Sequence, residues 1–421
     1  MVSSNPAAGR QKDIYTRGFS GKRPAINISL ADLEERAKAI MSPQAFAYVV
    51  GGAGIESTVR SNRSAFEQYK IIPRMLRNVS ERDMSIELLR KKYSTPFLLS
   101  PIGVLELAHK KADVAVGKAA STLGVPYIFS SQASRPMEEV AAAMDSQPRW
   151  FQLYWSKSRD LVSSFVKRAE ACGCEAIVVT LDTSMLGWRT RDLDQAYLPF
   201  LEGKGIAQYT SDPVFQKLMD EPDTEPAAKR NITWHSLMGL IKMVNAYPGN
   251  GFISKLSSGR PVRAVQKFIS TFSNPALTWD DLKFLREQTK LPIFLKGILH
   301  PDDAQMAMDY GVDGIVISNH GGRQVDGSIS TLEALPAIAA TVKGRIPIIL
   351  DSGIRGGADA FKALALGARA VCIGRPYVYG LAIAGQEGVE EVLRNFISDF
   401  DLTMGLSGCK NITEIKRECL Q

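Results

Sequence analysis

Eight short, apolar, β-branched runs separated by helical-looking segments limit what this chain can fold into. They are TPFLLSP (95–101), VPYIFSS (125–131), RWFQLYW (149–155), AIVVTLD (176–182), LPIFLKG (291–297), GIVISNH (314–320), IPIILDSG (346–353) and AVCIGRP (370–376). Between them lie stretches such as DLVSSFVKRAEACG, PDDAQMAMDYG and GGADAFKALALGA, with apolar residues at helical spacing and a glycine near the end as a C-cap. Strands covered on both faces read as continuous apolar runs, so eight of them alternating with helices predict a parallel TIM (β/α)8 barrel. An open doubly wound sheet is the alternative. It needs no count of eight and would leave edge strands, and none of the runs is polar enough for an edge.

The 421 residues, 45% hydrophobic, suffice for one large barrel domain. Residues 1–94 are expected to form an N-terminal arm and helical extension packed on the barrel, with SLADLEERAKAIMSPQAFAYVVGGAG as the helical part. Residues 95–421 then make the barrel, interrupted after strand four by a long insert at about 183–277, before TWDDLKFLREQT (278–289) restores the rhythm. A segment of that length is a lid, an oligomer contact or partly disordered. No apolar run approaches the roughly 18–20 residues of a membrane span. MVSSNPAAGRQKDIYTRGFSGKRP lacks a secretory core, and Asp13 with the absent amphipathic pattern argues for a basic arm over a transit peptide. A soluble, cytoplasmic protein is expected. Five cysteines do not describe a disulfide scaffold, and Cys172-Gly-Cys174 lacks metal-ligand partners nearby. The net charge of +7 comes without a Lys/Arg cluster interleaved with aromatics outside the arm, which suits anionic small molecules better than nucleic acid.

In such barrels the active site lies at the C-terminal strand ends. Those ends offer Pro101, Ile102 and Gly103; Ser130 and Ser131; Gln152 and Tyr154; Thr180 and Asp182; Lys296; Ser318, Asn319 and His320; Asp351, Gly353 and Arg355; and Gly374 and Arg375. The seventh and eighth strands end in DSGIRGG and IGRP, glycines beside arginines where backbone N–H groups usually hold a phosphate, so Gly353, Arg355, Gly374 and Arg375 are candidates for one. Lys296 ends a buried run, which is costly without an anionic or electron-rich partner. That partner is a cofactor ring that becomes anionic on reduction, or a strand-end carboxylate such as Asp351. Among four histidines, His320 stands at a strand end where Asp182 can orient it as a general base, whereas His109, His235 and His300 have structural contexts. Arg189 and Arg323 can grip a carboxylate, while Arg191 is the better candidate for the surface.

SNHGGRQ (318–324) resembles the signature of the FMN-dependent 2-hydroxy acid oxidases and dehydrogenases. The resemblance runs from about residue 14 to the C-terminus through AYVVGGAGIESTVRSN, FEQYKIIPRML, LSPIGV, FQLYW, TLDTSMLGWRTRDL, LKGILHPDDA, DSGIRGGADAFKALALGA and IGRPY, in family order. It implies FMN on Pro101, Ile102, Gly103, Ser130, Gln152 and Thr180, with Lys296 near the pyrimidine end, Ser318 and Asp351 close by, and the phosphate on Gly353, Arg355, Gly374 and Arg375. It also implies a substrate carboxylate held by Arg189, Arg323 and Tyr48, Tyr154 near the substrate hydroxyl, and His320 as base, oriented by Asp182. Tyr48 enters through the resemblance only.

Within the family the chain looks most like the decarboxylating monooxygenase branch, on SPIGV, on GWRTRDL followed by YLPFLEGKGIAQYTSDPVFQK, and on the basic IYTRGFSG. That likeness implies a small 2-hydroxy acid, L-lactate, with molecular oxygen as co-substrate, a 2-oxo acid retained and decarboxylated, and a homotetramer. Gly103 is expected to leave room for oxygen, and Gln132 stands where many relatives carry an aromatic. An oxidase releasing the 2-oxo acid and hydrogen peroxide shares every catalytic residue. FMN-dependent isomerases and nucleotide dehydrogenases would explain the glycines and Lys296 but give no use to His320, Arg323, Arg189 and Asp182. A non-enzymatic flavin-binding scaffold would not need that set either.

Overall fold

Each of the eight apolar runs forms one strand, and the polar residues lie at or just after the strand ends. The computed structural model describes residues 6–221 and 233–421, so residues 1–5 of the arm and 222–232 of the insert lie outside the described residues. A hairpin, β1 (Ile86–Leu88) and β2 (Lys91–Tyr93), comes first. It is followed by β3 (Phe97–Leu99), β4 (Tyr127–Phe129), β5 (Arg149–Tyr154), β6 (Ile177–Thr180), β7 (Ile293–Ile298), β8 (Gly314–Ile317), β9 (Ile348–Leu350) and β10 (Ala370–Ile373). Strands β3 to β10 pair in sequence order, all parallel, and β10 closes onto β3 with Val371 opposite Phe97. The TIM barrel is therefore the fold, and the open sheet is excluded.

Alternation inside the strands divides the core in two. Leu98, Ile128, Trp150, Val178, Phe294, Val316, Ile349 and Cys372 fill the barrel interior, while neighbours such as Phe97, Leu99, Phe151 and Ile177 pack outward under the helices. The hairpin, which no sequence pattern had flagged, adds Ile86, Leu88 and Tyr93 to the interior cluster. Tyr93 donates to Glu175 at 2.6 Å, just before β6, so the hairpin plugs the N-terminal end of the barrel. Function is left to the opposite mouth.

Residues of the expected basic arm form a helix, Pro6–Phe19, lying on the long C-terminal helix Arg375–Leu406. Arg10 pairs with Glu391 at 2.6 Å and Asn395 at 2.9 Å, and the Ala7 N–H meets Asp401. These partners lie far away in the chain, so no local pattern could show them. The helical extension divides into Leu30–Ile40 and Pro43–Val50, each opened by a serine cap, with Pro43 starting the second.

The insert is a packed helical layer. It contains Thr190–Asp194, Ala207–Thr210, Pro213–Leu218, Trp234–Ala246, Phe252–Ser258 and Arg260–Thr271. Tyr209 meets Phe268, Phe215 and the barrel-helix residue Phe165 edge-on, at 4.8, 5.4 and 5.0 Å between ring centroids. The interrupted rhythm resumes with Asp281–Gln288, inside the expected 278–289. No helix among the described residues is long and apolar enough to cross a membrane.

Because Trp150 fills the barrel interior against Phe294, with ring centroids 4.9 Å apart, Trp150→Ala leaves a cavity that eight closed strands cannot collapse. We expect a loss of about 3–5 kcal/mol, read as a lowered denaturant midpoint at unchanged slope.

Candidate active site at the C-terminal mouth of the barrel

The polar strand ends converge on one cavity of about 510 Å³, within the roughly 300–1,000 Å³ of small-molecule and cofactor sites. Pro101, Ile102, Gly103, Tyr154, Lys296, His320, Asp351, Gly353, Arg355, Gly374 and Arg375 line it from the barrel. Tyr48 enters from the helical extension, and Arg189, Phe200, Phe268 and Phe272 from the insert. Ser130, Gln152, Thr180, Asp182 and Ser318 lie in or just after β4, β5, β6 and β8 and are not among the lining residues.

His320 begins the turn after β8 with a left-handed backbone, φ 57°, and is followed by glycines at φ 66° and 77°. Gly322 is obligatory there, since a Cβ would sit 2.8 Å from the Val59 nitrogen. The turn aims His320 Nδ1 at Asp182 Oδ1, 2.8 Å away. An ionised Asp182 takes a proton donated by Nδ1, which leaves Nε2 as the free acceptor on a neutral ring. Burial alone would raise the Asp182 pKa, but Lys296, His320 and Arg189 outweigh it and hold the carboxyl below its usual range. Burial pushes His320 below its ordinary value; Asp182 opposes that shift, and Lys296 and Arg189 add to it. The imidazole is thus held neutral at neutral pH.

Lys296 lies 3.8 Å from Asp182 Oδ2 and donates to Ser318 Oγ at 2.9 Å. Ser318 donates in turn to Asp351 at 3.0 Å, and Ser100 and Ser352 also donate to that carboxylate. The lysine therefore reaches Asp351 only through a hydroxyl, and its nearest carboxylate is Asp182. Burial works against its charge, yet Asp182 and Asp351 prevail and raise its pKa.

Two further cations face the cavity without an ion pair. Arg323 donates to the Tyr48 and Gly51 carbonyls at 2.5 and 2.8 Å, with its guanidinium 5.0 Å from the Tyr48 ring centroid. Burial, reinforced by Arg189, draws its pKa down to about 9. Arg189 donates to Gln324 Oε1 at 2.9 Å. Two buried like charges converging on one space need an anion there. Burial pushes the Tyr154 hydroxyl up to about 12, so it stays protonated.

The other end of the cavity asks for an anion as well. Arg355 is drawn down to about 10 by burial, and its side chain finds only the Ile354 carbonyl. Arg375 differs, because its Nε, Nη1 and Nη2 donate to the Val49, Gly321 and Gly51 carbonyls at 3.1, 3.0 and 3.1 Å. Its side chain fastens the extension to the histidine turn, while its backbone opens the long helix, whose first N–H groups favour an anion. Beside the wall, Gln152 Nε2 and Thr180 Oγ1 are enclosed and unpartnered. Enclosed amide and hydroxyl groups without partners, together with an unneutralised arginine at the far end, fit a planar heteroaromatic group that carries a phosphate.

Sequence reasoning missed what positions these groups. Asn62 and Asn319 exchange amide hydrogen bonds at 2.8 and 2.7 Å, anchoring the turn before His320 to the extension. Gln324 donates to the Asp182 and Met185 carbonyls at 2.7 and 2.8 Å, so it ties the histidine loop to the start of the insert. Both residues lie within quoted motifs, but only their partners give them a role. Gly103, expected to make room for oxygen, also has a local reason, since a Cβ there would stand 2.9 Å from that of Gln132. Arg191 pairs with Glu56, and His300 caps the helix Pro301–Asp309, in keeping with their expected structural roles.

Comparison with known proteins places the chain in a family. The family profile described as FMN-dependent dehydrogenase matches residues 37–421. An L-lactate oxidase of Lysinibacillus sphaericus is 42% identical over 96% of this chain and 95% of its own. An FMN-dependent alpha-hydroxy acid dehydrogenase of Penicillium citrinum is 40% identical over 98% and 95%. Among solved structures, mandelate oxidase with (S)-4-hydroxymandelic acid superposes with a TM-score of 0.75 at 34% identity, covering 94% of this chain and 98% of that one.

Removing the lysine leaves Asp182 buried without its strongest opposing charge. Lys296→Met is expected to cost about 3–5 kcal/mol at neutral pH. The loss shrinks in acid, because the carboxylate of the variant protonates at a raised pKa; unfolding midpoints measured across pH test both parts.

Proposed function

This chain belongs to the FMN-dependent dehydrogenase family, as an FMN-dependent oxidoreductase of 2-hydroxy acids, and on that premise we propose that it oxidises L-lactate with molecular oxygen and retains the 2-oxo acid. The products are then acetate, carbon dioxide and water, the outcome of a lactate 2-monooxygenase. The observation that carries retention is the insert's apolar wall. Phe200, Phe268 and Phe272 of the insert line one side of a cavity whose barrel side is polar, and that hydrocarbon would hinder the exit of a small charged 2-oxo acid.

FMN, when bound, supplies a two-electron acceptor for the C2 hydrogen and its electron pair, and afterwards a donor to oxygen. Pro101, Ile102 and Gly103 would support it, with Ser130, Gln152 and Thr180 behind and Lys296, Ser318 and Asp351 at its polar edge. Arg355 and the backbone of Gly353, Gly374 and Arg375 would take the phosphate. Arg189 and Arg323, with Tyr48, would grip the substrate carboxylate, and the protonated Tyr154 would donate to a substrate oxygen. His320 Nε2 takes the hydroxyl proton, and Asp182 stabilises the imidazolium that results. Lys296 offers fixed positive charge where negative charge grows on reduction.

An oxidase releasing pyruvate and hydrogen peroxide is the second reading, favoured by the rim, where the lining residues Met185 and Leu186 stay 69% and 54% exposed. A cytoplasmic homotetramer belongs to the same proposal, with exposed Trp234, Phe252 and Ile253 of the insert as available contacts.

The deciding measurement adds L-lactate anaerobically, follows bleaching of the flavin band, then admits oxygen and assays acetate against pyruvate plus peroxide. Acetate is expected; pyruvate and peroxide would make the enzyme an oxidase, and an unbleached flavin would remove lactate as substrate.

The base supplies a second test. His320 must be neutral, so kcat/KM should fall as pH drops through a value below 6.5. Asp182→Asn deletes the charge that raises that pKa. It should move this acid limb lower still and slow flavin reduction by roughly 100-fold or more, with FMN retained. Reduction as fast as in the unaltered enzyme would refute the base assignment.

A further inference from the structure

Far from the active site, the last residues of the chain fold back in two short turns, Ile412–Glu414 and Arg417–Cys419. Cys409 follows the long helix, with its N–H on the Met404 carbonyl at 2.9 Å, and Cys419 accepts from the Ile72 N–H at 2.8 Å. The two turns bring both thiols to one oxygen. Cys409 Sγ donates to the Glu414 carbonyl at 3.7 Å and Cys419 Sγ to the same carbonyl at 3.5 Å. Sharing that acceptor places the two thiols side by side against one carbonyl.

We propose that Cys409 and Cys419 are a redox modification site, a dithiol that a hydroperoxide oxidises to a reversible disulfide. The two cysteines have different exposures. Cys419 is half-buried and Cys409 buried, so the oxidant meets Cys419 first. Burial, followed by the neighbouring Cys419, pushes the Cys409 thiol up to about 12, which keeps it from reacting first. The Cys419 sulfur attacks one peroxide oxygen, the O–O bond breaks, water leaves and a sulfenic acid remains. The Cys409 sulfur then attacks that sulfur, the S–O bond breaks, a second water leaves and the S–S bond forms. Two thiols thereby give up two electrons and two protons, and one hydrogen peroxide becomes two waters.

The staple would fix a segment that otherwise depends on backbone pairing. Gln421 exchanges hydrogen bonds with Lys70 at 2.9 and 3.0 Å, Asp83 N–H meets the Lys410 carbonyl at 2.8 Å, and Arg74 N–H meets Ser407 at 3.2 Å. Residues 70–83 lead directly into the hairpin that plugs the barrel, so the disulfide would brace the closed end of the fold. The remaining cysteines are placed differently. Cys372 is inside the barrel, and Cys172 and Cys174 flank Gly173 at the end of the helix Arg159–Ala171. Hydrogen peroxide is what the oxidase reading of the active site would release, but the proposal holds with peroxide from any source.

The test treats folded holoenzyme with dilute hydrogen peroxide, then denatures it, counts thiols and maps peptides without reductant. Of the five cysteines, two should disappear together, return with dithiothreitol, and appear as a link between 409 and 419. Cys419→Ser should abolish the link and Cys172→Ser should leave it. Carboxypeptidase should release residues from the oxidised C-terminus more slowly than from the reduced one. Five surviving thiols, a link confined to Cys172 and Cys174, or Cys419 accumulating as sulfonic acid without a link would each overturn it. The mapping on unaltered protein does not depend on any variant folding, and thiol counts need no lactate turnover, so failure here is separable from failure of the proposed function.

Discussion

A buried carboxylate between a lysine and an imidazole organises the mouth of this barrel. Asp182 follows β6, with Lys296 of β7 beside one oxygen and His320 after β8 against the other. Each of the three would be expensive to bury alone. Together they fix charge states that differ from what each side chain would adopt in water: an ionised carboxylate, a charged lysine and a neutral imidazole. A base that is unprotonated yet backed by an anion is suited to accept a proton and to hold it afterwards. The hydroxyls of Ser318, Ser100 and Ser352 extend the arrangement to Asp351, so the ends of four adjacent strands, β6 to β9, share one electrostatic unit.

That unit works only because segments outside the barrel hold it in register. The helical extension contributes Tyr48 directly, and it holds the histidine turn through the paired amides of Asn62 and Asn319 and through its carbonyls, which engage Arg323 and Arg375. Gln324 joins the same turn to the insert. The insert closes the apolar side with phenylalanines anchored in an aromatic cluster around Tyr209. A cavity with cations at both ends, unpartnered polar groups beside one wall and hydrocarbon on the other offers chemically distinct surfaces for an anion, a planar ring and a small acid.

Much of this was legible because the barrel imposes simple periodicities. The eight runs marked all eight strands, and since strand ends carry the site, Lys296, His320, Asp182 and Arg355 could be singled out from position alone. The hairpin β1–β2 escaped because three-residue strands carry no usable period. The arm Pro6–Phe19 escaped because its stabilising partners, Glu391, Asn395 and Asp401, are at the other end of the chain. Tyr48 and Asn62 lie in segments with ordinary helical composition, and nothing local says that their side chains face a distant strand end.

The sequence by itself determined the alternation of buried strands and helices, and with it the closed barrel and the end at which chemistry could occur, because burial on both faces leaves a pattern in every strand. Only the tertiary structure decided which charges meet, which arginine is left unneutralised and which is occupied by carbonyls. It also decided that two cysteines near the C-terminus share one acceptor. Those outcomes depend on distances between residues far apart in the chain, and a hydrogen bond or an ion pair changes character within an ångström or two, a precision that no linear pattern of residue types encodes.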